Sequence, residues 1–98
     1  MPDFDYQQLD DRIHSRIRLA IMSILIGVEQ AEFNFLKKQV KTTDGNLSIH
    51  LRKLEEAKYI TVKKEFVDRK PQSQYHITRK GRQAFAEYIA QLEKFIKG

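Results

Sequence analysis

The sequence predicts a single α+β domain with a mainly helical three-helix core, a β-hairpin and a long C-terminal helix. Four segments place apolar residues at steps of three and four, which is typical of amphipathic helices. Two adjacent segments instead alternate apolar and polar residues around a turn, which predicts a hairpin. With 98 residues, of which 41% are hydrophobic and 32% charged, the chain suits one core. We therefore treat residues 1–98 as one domain.

Composition excludes several classes of protein. The chain has no cysteine, which excludes disulfide scaffolds, thiolate zinc sites and cysteine nucleophiles. The longest apolar run, Leu19 to Val28, contains Ser23 and Gly27 and is shorter than the roughly 20 residues of a membrane span. The first five residues are acidic, where a secretory signal would be basic. We expect a cytoplasmic protein with no membrane partner.

The first helix is predicted between Leu9 and Leu25, where the apolar residues follow helical spacing. Asp10 and Asp11 lie near its predicted start. Carboxylates suit this position because the N-terminus of a helix carries a partial positive charge. Gly27 is a suitable terminator. A short extended piece, Glu32 to Phe33, is expected to follow.

Two further helices joined by a tight turn are predicted next. Asn34 is expected to cap a brief second helix that ends at about Val40. Thr43 is the predicted N-cap of a third helix, from about Asp44 to Ala57. The third helix has a narrow apolar stripe that should dock on the core, formed by Leu47, Leu51 and Leu54. Ile49, on the opposite side, is then expected to face solvent or a partner.

A β-hairpin with a basic tip follows the third helix. The alternating segment Tyr59 to Val67 predicts the first strand, and Gln74 to Thr78 predicts the returning strand. Asp68 to Ser73 has the composition of a turn. Thr78 should cap the last helix, which is expected to extend to about Lys97.

Two short helices, a tight turn and a hairpin in this order form a helix-turn-helix with a wing. Residues 43–60, TDGNLSIHLRKLEEAKYI, resemble the recognition helix of the MarR and ArsR kinds of winged helix-turn-helix transcriptional regulator. Residues 75–82, YHITRKGR, similarly resemble the passage that closes the wing. The resemblance covers roughly residues 9 to 90 and implies a prokaryotic, homodimeric repressor or activator. Lys58 departs from it, because these families usually place glycine there; a left-handed Lys58 would cost roughly 1 kcal/mol.

Positive charge is concentrated in the middle of the chain. From Lys37 to Arg82 there are 13 Lys and Arg against 5 Asp and Glu, a net of +8, within an overall net charge of +5. Nucleic acid is the most common partner of such a segment, and an acidic membrane surface or a merely solvated face are the alternatives.

We predict that the outer face of the third helix enters the major groove of double-stranded DNA, because that groove admits a helix and displays a readable donor and acceptor pattern. The basic wing would contact the adjacent minor groove or phosphates. The resemblance implies a backbone contact for His50, whereas a partly buried helix residue is the alternative. The predicted DNA-binding residues are Thr43, Asn46, Ser48, Ile49, His50, Arg52, Lys53, Lys63, Arg69 and Lys70. Four further cations are expected to add positive charge facing the DNA phosphates: Lys37, Lys38, Lys64 and Arg79.

The last helix predicts a homodimer, because its apolar stripe runs along about five turns, more than so small a domain can cover. The alternative is a stripe that covers only the chain's own core. The predicted interface consists of Leu9, Phe85, Tyr88, Ile89, Leu92, Phe95 and Ile96, with Phe4 and Tyr6 from the N-terminal segment. In such a dimer the two recognition helices would lie about 34 Å apart.

We expect no enzymatic activity, no cofactor and no metal site. The sequence has no motif for a phosphate loop, a metal triad or paired carboxylates, and His14 and His76 have no partner at ligand spacing. The main alternative function is a winged-helix protein–protein interaction module without DNA binding, whose outer helix face would be acidic or neutral. An unidentified small-molecule effector, bound between the first helix and the partner's last helix, is compatible with DNA binding.

Overall fold

The computed structural model describes residues 5–97 and has the predicted order of elements. A short 3-10 helix, Tyr6–Gln8, comes first. The remaining elements are α1 (Arg16–Val28), β1 (Gln30–Glu32), α2 (Phe33–Val40), α3 (Asp44–Glu56), β2 (Ile60–Val67), β3 (Lys70–Ile77) and α4 (Arg79–Lys97). The α+β winged helix-turn-helix fold is thereby confirmed. Phe4, which we expected at the dimer interface, lies outside the described residues.

The three strands form one antiparallel sheet in the order β1-β3-β2. β2 and β3 pair along their full length, from Ile60 opposite Ile77 to Val67 opposite Lys70. β1 pairs only with residues 74–76 of β3, close to the helices. The outer half of the β2–β3 hairpin therefore has two strands and forms the wing.

The hydrophobic core lies where α1, α2 and α3 meet the inner face of the sheet. The three predicted leucines of α3 are between 0% and 1% exposed, and Leu36 of α2 is fully buried. Tyr59, Ile60 and Tyr75 close the core from the sheet side. This packing fixes which side of α3 faces outward.

The start of α1 differs from the prediction. The helix begins at Arg16 rather than near Leu9, and its N-cap is Ser15, whose Oγ accepts the Arg18 amide at 3.3 Å. The apolar spacing continues upstream because Ile13 packs into the core from a non-helical segment and is 0% exposed. Asp10 does not interact with the helix N-terminus. Its carboxylate accepts a hydrogen bond from the hydroxyl of Tyr59 instead.

Two helix boundaries also differ from the prediction. α1 continues through Gly27 and ends at Val28, followed by the C-cap Glu29, which adopts a φ of 70°. The carboxylate of Glu32, rather than Asn34, caps α2 by accepting the amide of Phe35 at 3.2 Å. A glutamate side chain is long enough to reach an amide three residues ahead, which the usual preference for short capping residues does not anticipate.

The turn at the wing tip is shorter than predicted. It consists of Asp68 and Arg69 alone, with φ values of 52° and 66°, which identifies a two-residue turn of the type I′ class. Lys70 and Pro71, predicted as turn residues, belong to β3. Pro71 is tolerated there because β1 does not extend alongside it, so that edge of β3 needs no amide donor.

A compact connection joins α3 to β2 and α4. Lys58 adopts a φ of 66°, and the amides of Lys58 and Tyr59 bond to carbonyls of the last turn of α3 at 2.9 and 3.0 Å. These are the two bonds of a Schellman helix ending. The hydroxyl of Thr78 donates to the Lys58 carbonyl at 2.7 Å and accepts the Gly81 amide at 2.9 Å. The predicted cap of α4 by Thr78 is thus confirmed.

Candidate nucleic-acid interface

The solvent-facing side of α3 is the first part of the candidate interface. Thr43 Oγ1 accepts the amide of Asn46 at 3.2 Å, which confirms the predicted cap. Because the three leucines are buried, the other side of the helix faces solvent. That side carries exposed residues of the predicted set: Asn46, Ser48, Ile49, Arg52 and Lys53. Ile49 is 52% exposed in this otherwise polar surface.

A salt bridge fixes the turn between α2 and α3. Lys37 Nζ lies 2.7 Å from a carboxylate oxygen of Asp44, the first residue of α3. The pair spans the two helices of the helix-turn-helix. Lys37 was expected to add charge toward phosphates, but much of its charge is balanced by Asp44. Lys38, on the same helix, remains exposed and forms no salt bridge among residues 5–97.

Arg18, which the sequence analysis did not single out, connects three segments next to α3. Its Nε donates to the carbonyl of Arg12 at 2.8 Å, and its Nη2 donates to that of Asp11 at 3.3 Å. Its Nη1 lies 2.8 Å from Nδ1 of His50, in the middle of α3. No sequence signal indicated this role, because helical spacing does not reveal a partner 32 residues away.

The contact with Arg18 affects both the tautomer and the protonation of the His50 ring. A guanidinium can only donate, so Nδ1 of His50 accepts and its ring proton resides on Nε2. Burial lowers the pKa of His50 below its ordinary value of 6.5, and the positive charges of Arg18 and Lys53 lower it further. His50 therefore brings no positive charge to α3 at neutral pH. It holds α3 against α1, which agrees with the interpretation as a half-buried helix residue.

The wing is the second part of the candidate interface. Its predicted DNA-binding residues, Lys63, Arg69 and Lys70, are all exposed. Lys63 lies 3.8 Å from the carboxylate of Glu65, whereas Arg69 and Lys70 form no salt bridge among residues 5–97. The tip therefore carries two cations that form no salt bridge within the described residues, next to the carboxylate of Asp68 in the turn.

The predicted dimer residues fall into two groups. Tyr88 is only 3% exposed and its hydroxyl lies 2.7 Å from Nδ1 of His14, so it belongs to this chain's own core, and its assignment to an interface was wrong. The others remain accessible: Leu9, Phe85, Ile89 and Leu92 are half-buried, and Phe95 and Ile96 are exposed. The buried residues of α4 all lie in its first ten positions. Ile89 and Leu92 still pack against the core, whereas Ile96, near the end of the helix, is 78% exposed.

A family of winged helix DNA-binding domains matches residues 17–96, which include α1, the helix-turn-helix, the wing and nearly all of α4. The chain belongs to this family. This winged helix domain is 40% identical over 84 residues to an uncharacterised protein of Methanocaldococcus jannaschii, a match that covers 86% of this chain and 91% of the relative.

Solved structures of similar fold include transcriptional regulators. A transcriptional regulator homologue from Pyrococcus horikoshii OT3 is similar at 30% identity and a TM-score of 0.83, over 89% of this chain and 86% of that one. A MarR-family regulator from Silicibacter pomeroyi has a TM-score of 0.69 at 16% identity, over 91% of this chain and 59% of that one. The latter supports the fold alone. The resemblance to winged-helix regulators is confirmed.

The described part of the chain contains no helix that is both long and apolar enough to cross a bilayer.

Proposed function

We propose that this winged helix domain is a homodimeric, sequence-specific regulator that binds double-stranded DNA, with α3 in the major groove and the wing on the adjacent minor groove or phosphates. The exposed side of α3 carries the proposal. Ile49 exposes half of its surface and shares this side with Asn46 and Arg52, an arrangement of one apolar and two polar side chains. Against base edges it is useful, because Ile49 can contact a thymine methyl, Arg52 a guanine and Asn46 an adenine.

The charge distribution supports the same proposal. Arg52 and Lys53 on α3, like Arg69 and Lys70 on the wing, form no salt bridge within residues 5–97. Each such cation that engages a phosphate contributes about 0.9 to the slope of log affinity against log salt concentration. An interaction module without DNA binding has no need of these four cations outside salt bridges on the solvent-facing side of α3 and on the wing.

The end of α4 supports a homodimer. Ile89 and Leu92 pack on the core but remain partly accessible, and the stripe ends at Ile96, which is 78% exposed. An apolar stripe of this kind marks an interaction surface, and a two-fold axis through it would let a single stripe contact its own copy. The two α3 helices of such a dimer would read two half-sites about 34 Å apart.

Selection of bound fragments from a random duplex pool tests the proposal directly, because enrichment of a two-fold symmetric sequence requires binding, specificity and dimer symmetry together. A salt titration between about 50 and 200 mM accompanies it, a range over which phosphate-binding proteins lose affinity by orders of magnitude. A weak, flat response and no enriched sequence would refute DNA binding and favour the interaction module.

The role of α3 is tested by Arg52→Ala. We expect a loss of roughly 1–3 kcal/mol on the selected site and relaxed preference at one base pair. Lys97→Ala is the matched control, since it removes one cation at the far end of α4, where Lys97 pairs with Glu93 at 3.7 Å. Equal losses on selected and random DNA would assign Arg52 to a phosphate instead.

The dimer is tested by sedimentation of Ile96→Asp and Leu92→Asp, both of which should shift the chain to monomers. Ala86→Asp, on the exposed side of α4 opposite its buried residues, is the control and should leave the dimer intact. Circular dichroism verifies that each variant is folded. A folded Ile96→Asp chain that still sediments as a dimer would remove the end of α4 from the interface.

A further inference from the structure

The wing extends well beyond the body of the domain. β1 pairs only with residues 74–76 of β3, whereas β2 and β3 continue to pair as far as Val67 and Lys70. Four residue pairs, from Lys64 opposite Ser73 to the tip, therefore form a ribbon about 13 Å long, at roughly 3.3 Å per residue. Along this ribbon the outer edge of β3 is not paired with β1.

The two faces of the ribbon differ in chemistry. Because side chains alternate along a strand, one face continues the side of the sheet on which Ile60 is buried at 2% exposure. We call it the inner wing face, and it consists of Lys64, Phe66, Pro71 and Ser73. It carries a cation and no acid. The only acid of β2, Glu65, lies on the opposite face together with its neighbour Lys63.

Phe66 dominates the inner wing face. It is 81% exposed, the most exposed large hydrophobic side chain described, and Pro71 directly opposite is also exposed. The hairpin turn does not require this ring, because Asp68 and Arg69 form the turn by themselves. An aromatic ring left in water forfeits the free energy of its burial. Such a residue at the tip of a ribbon suits a partner that can enclose it.

The position of the inner wing face indicates which partner that is. It lies on the side of the sheet against which α3 packs, so a duplex seated on the outer side of α3 passes next to it. Lys64 lies on the same face as Phe66, and Arg69 lies in the turn beside Asp68, so cations outnumber acids around the ring and attract a polyanion. A cationic rim around an apolar tip fits the minor groove, whose walls are phosphates and whose floor is made of stacked bases.

We propose that Phe66, backed by Pro71, is an apolar wedge that enters the minor groove of the duplex bound by α3, partly unstacks one base step and bends the DNA. This inference rests on the proposed function. Inserted apolar side chains of this kind kink duplexes by about 20–90°. Flexible pyrimidine–purine steps yield most easily, so we expect one at the position of the wing in the selected sequences.

The experiment uses a selected duplex with a donor and an acceptor dye at its ends and 2-aminopurine at the predicted step. Saturating wild-type protein should raise both energy transfer and 2-aminopurine fluorescence. Phe66→Ala should bind about tenfold more weakly, as expected for an aromatic ring that is no longer buried, and should lose both signals. Its salt slope should stay unchanged, whereas Lys64→Ala should lower the slope by about one. Val67→Ala, on the opposite face, is the control and should behave as wild type.

The outcomes separate the wedge from the proposed function. Wild-type protein that binds the duplex without bending it, or a Phe66→Ala complex that bends it equally, overturns the wedge and leaves groove reading by α3 intact. Failure of the wild type to bind any duplex overturns both. Altered sedimentation of Phe66→Ala with unchanged bending places the ring between copies of the chain and also overturns the wedge. Since the side chain is exposed, Phe66→Ala should unfold at the wild-type temperature.

Discussion

Among the described glycines, Gly81 is the one at which an added methyl group should destabilise the fold. It lies in the first turn of α4, directly against the backbone of Tyr59. A Cβ built there would lie 2.1 Å from the Tyr59 carbonyl oxygen, 2.9 Å from its carbonyl carbon and 3.0 Å from Cγ1 of Ile77. An ordinary contact between carbon and oxygen is about 3.3 Å. Accommodation of alanine therefore requires a backbone shift of about 1 Å.

The expected cost of Gly81→Ala is the balance of three terms. Overpacking of this kind costs about 1–3 kcal/mol. The Tyr59 carbonyl accepts the amide of Thr78 at 2.9 Å and lies 3.0 Å from its hydroxyl, and a displaced carbonyl weakens these bonds by about 1 kcal/mol. Alanine returns up to about 1 kcal/mol because it favours helix. The net loss is roughly 2 kcal/mol, which corresponds to a fall in melting temperature of about 10 °C for a domain of this size.

Thermal and urea unfolding of Gly81→Ala, followed by circular dichroism, measures this loss. Gly27→Ala is the matched control. Gly27 also lies in a helix, but a Cβ there meets nothing within 4 Å, so alanine should stabilise the chain by up to about 1 kcal/mol. If Gly81→Ala unfolds at or above the wild-type temperature, the close approach of α4 to Tyr59 is not a feature of the folded protein.

Three more perturbations have expected outcomes. Lys58→Gly should raise the free energy of unfolding by about 1 kcal/mol, because glycine adopts the observed φ of 66° without strain; an unchanged urea midpoint would contradict this. Arg69→Gly should raise the free energy of unfolding by a similar amount and yet weaken DNA binding. If the variant instead gained both stability and affinity for DNA, the guanidinium would have no role in binding. Burial and Arg18 lower the pKa of His50, so below pH 6.5 the unfolded chain binds more protons, and stability should fall as the pH drops through that value. His50→Gln should flatten this fall, and an equally steep curve in the variant would exclude His50 as its source.

The elements with a local physical cause were predicted correctly. Thr43 is followed by a helix that needs an amide acceptor at its first turn, and Leu47 opens a stripe that only one face of α3 can bury. The hairpin follows from the alternation of apolar and polar residues, and the cap at Thr78 follows from the helix that begins immediately after it. These features depend on neighbours within one or two turns, so a single sequence contains the information that fixes them.

The boundaries that failed depend on distant contacts. Ile13 has helical spacing relative to Ile17, but its segment is held by other interactions, including the bond from Tyr59 to Asp10, 49 residues away. Apolar periodicity reports burial and does not distinguish a helix from a loop that packs on the same core. The tight turn at Asp68 and Arg69 was missed because neither residue is the glycine that usually marks positive φ at such a turn.

The candidate site was predictable to the extent that exposure follows from helix geometry. Once the leucines of α3 were assigned to the core, the opposite side followed, and its residues are exposed as expected. Composition did not indicate which wing face is free of acids, because that depends on strand register. The alternation from Tyr59 to Val67 predicts the strand but not the exposure of Phe66, which lies where the hairpin extends past β1.

The short connection through Lys58, Tyr59 and Thr78 affects how this protein would select among sequences. Because backbone and hydroxyl hydrogen bonds connect α3 to the base of the wing, the two would approach DNA with a fixed mutual geometry, and little conformational entropy would be lost on docking. A rigid protein surface does not adapt its shape to a stiff DNA duplex. The deformation then falls on the nucleic acid, whose flexibility varies with its sequence. Discrimination would thus extend to base pairs that no side chain touches.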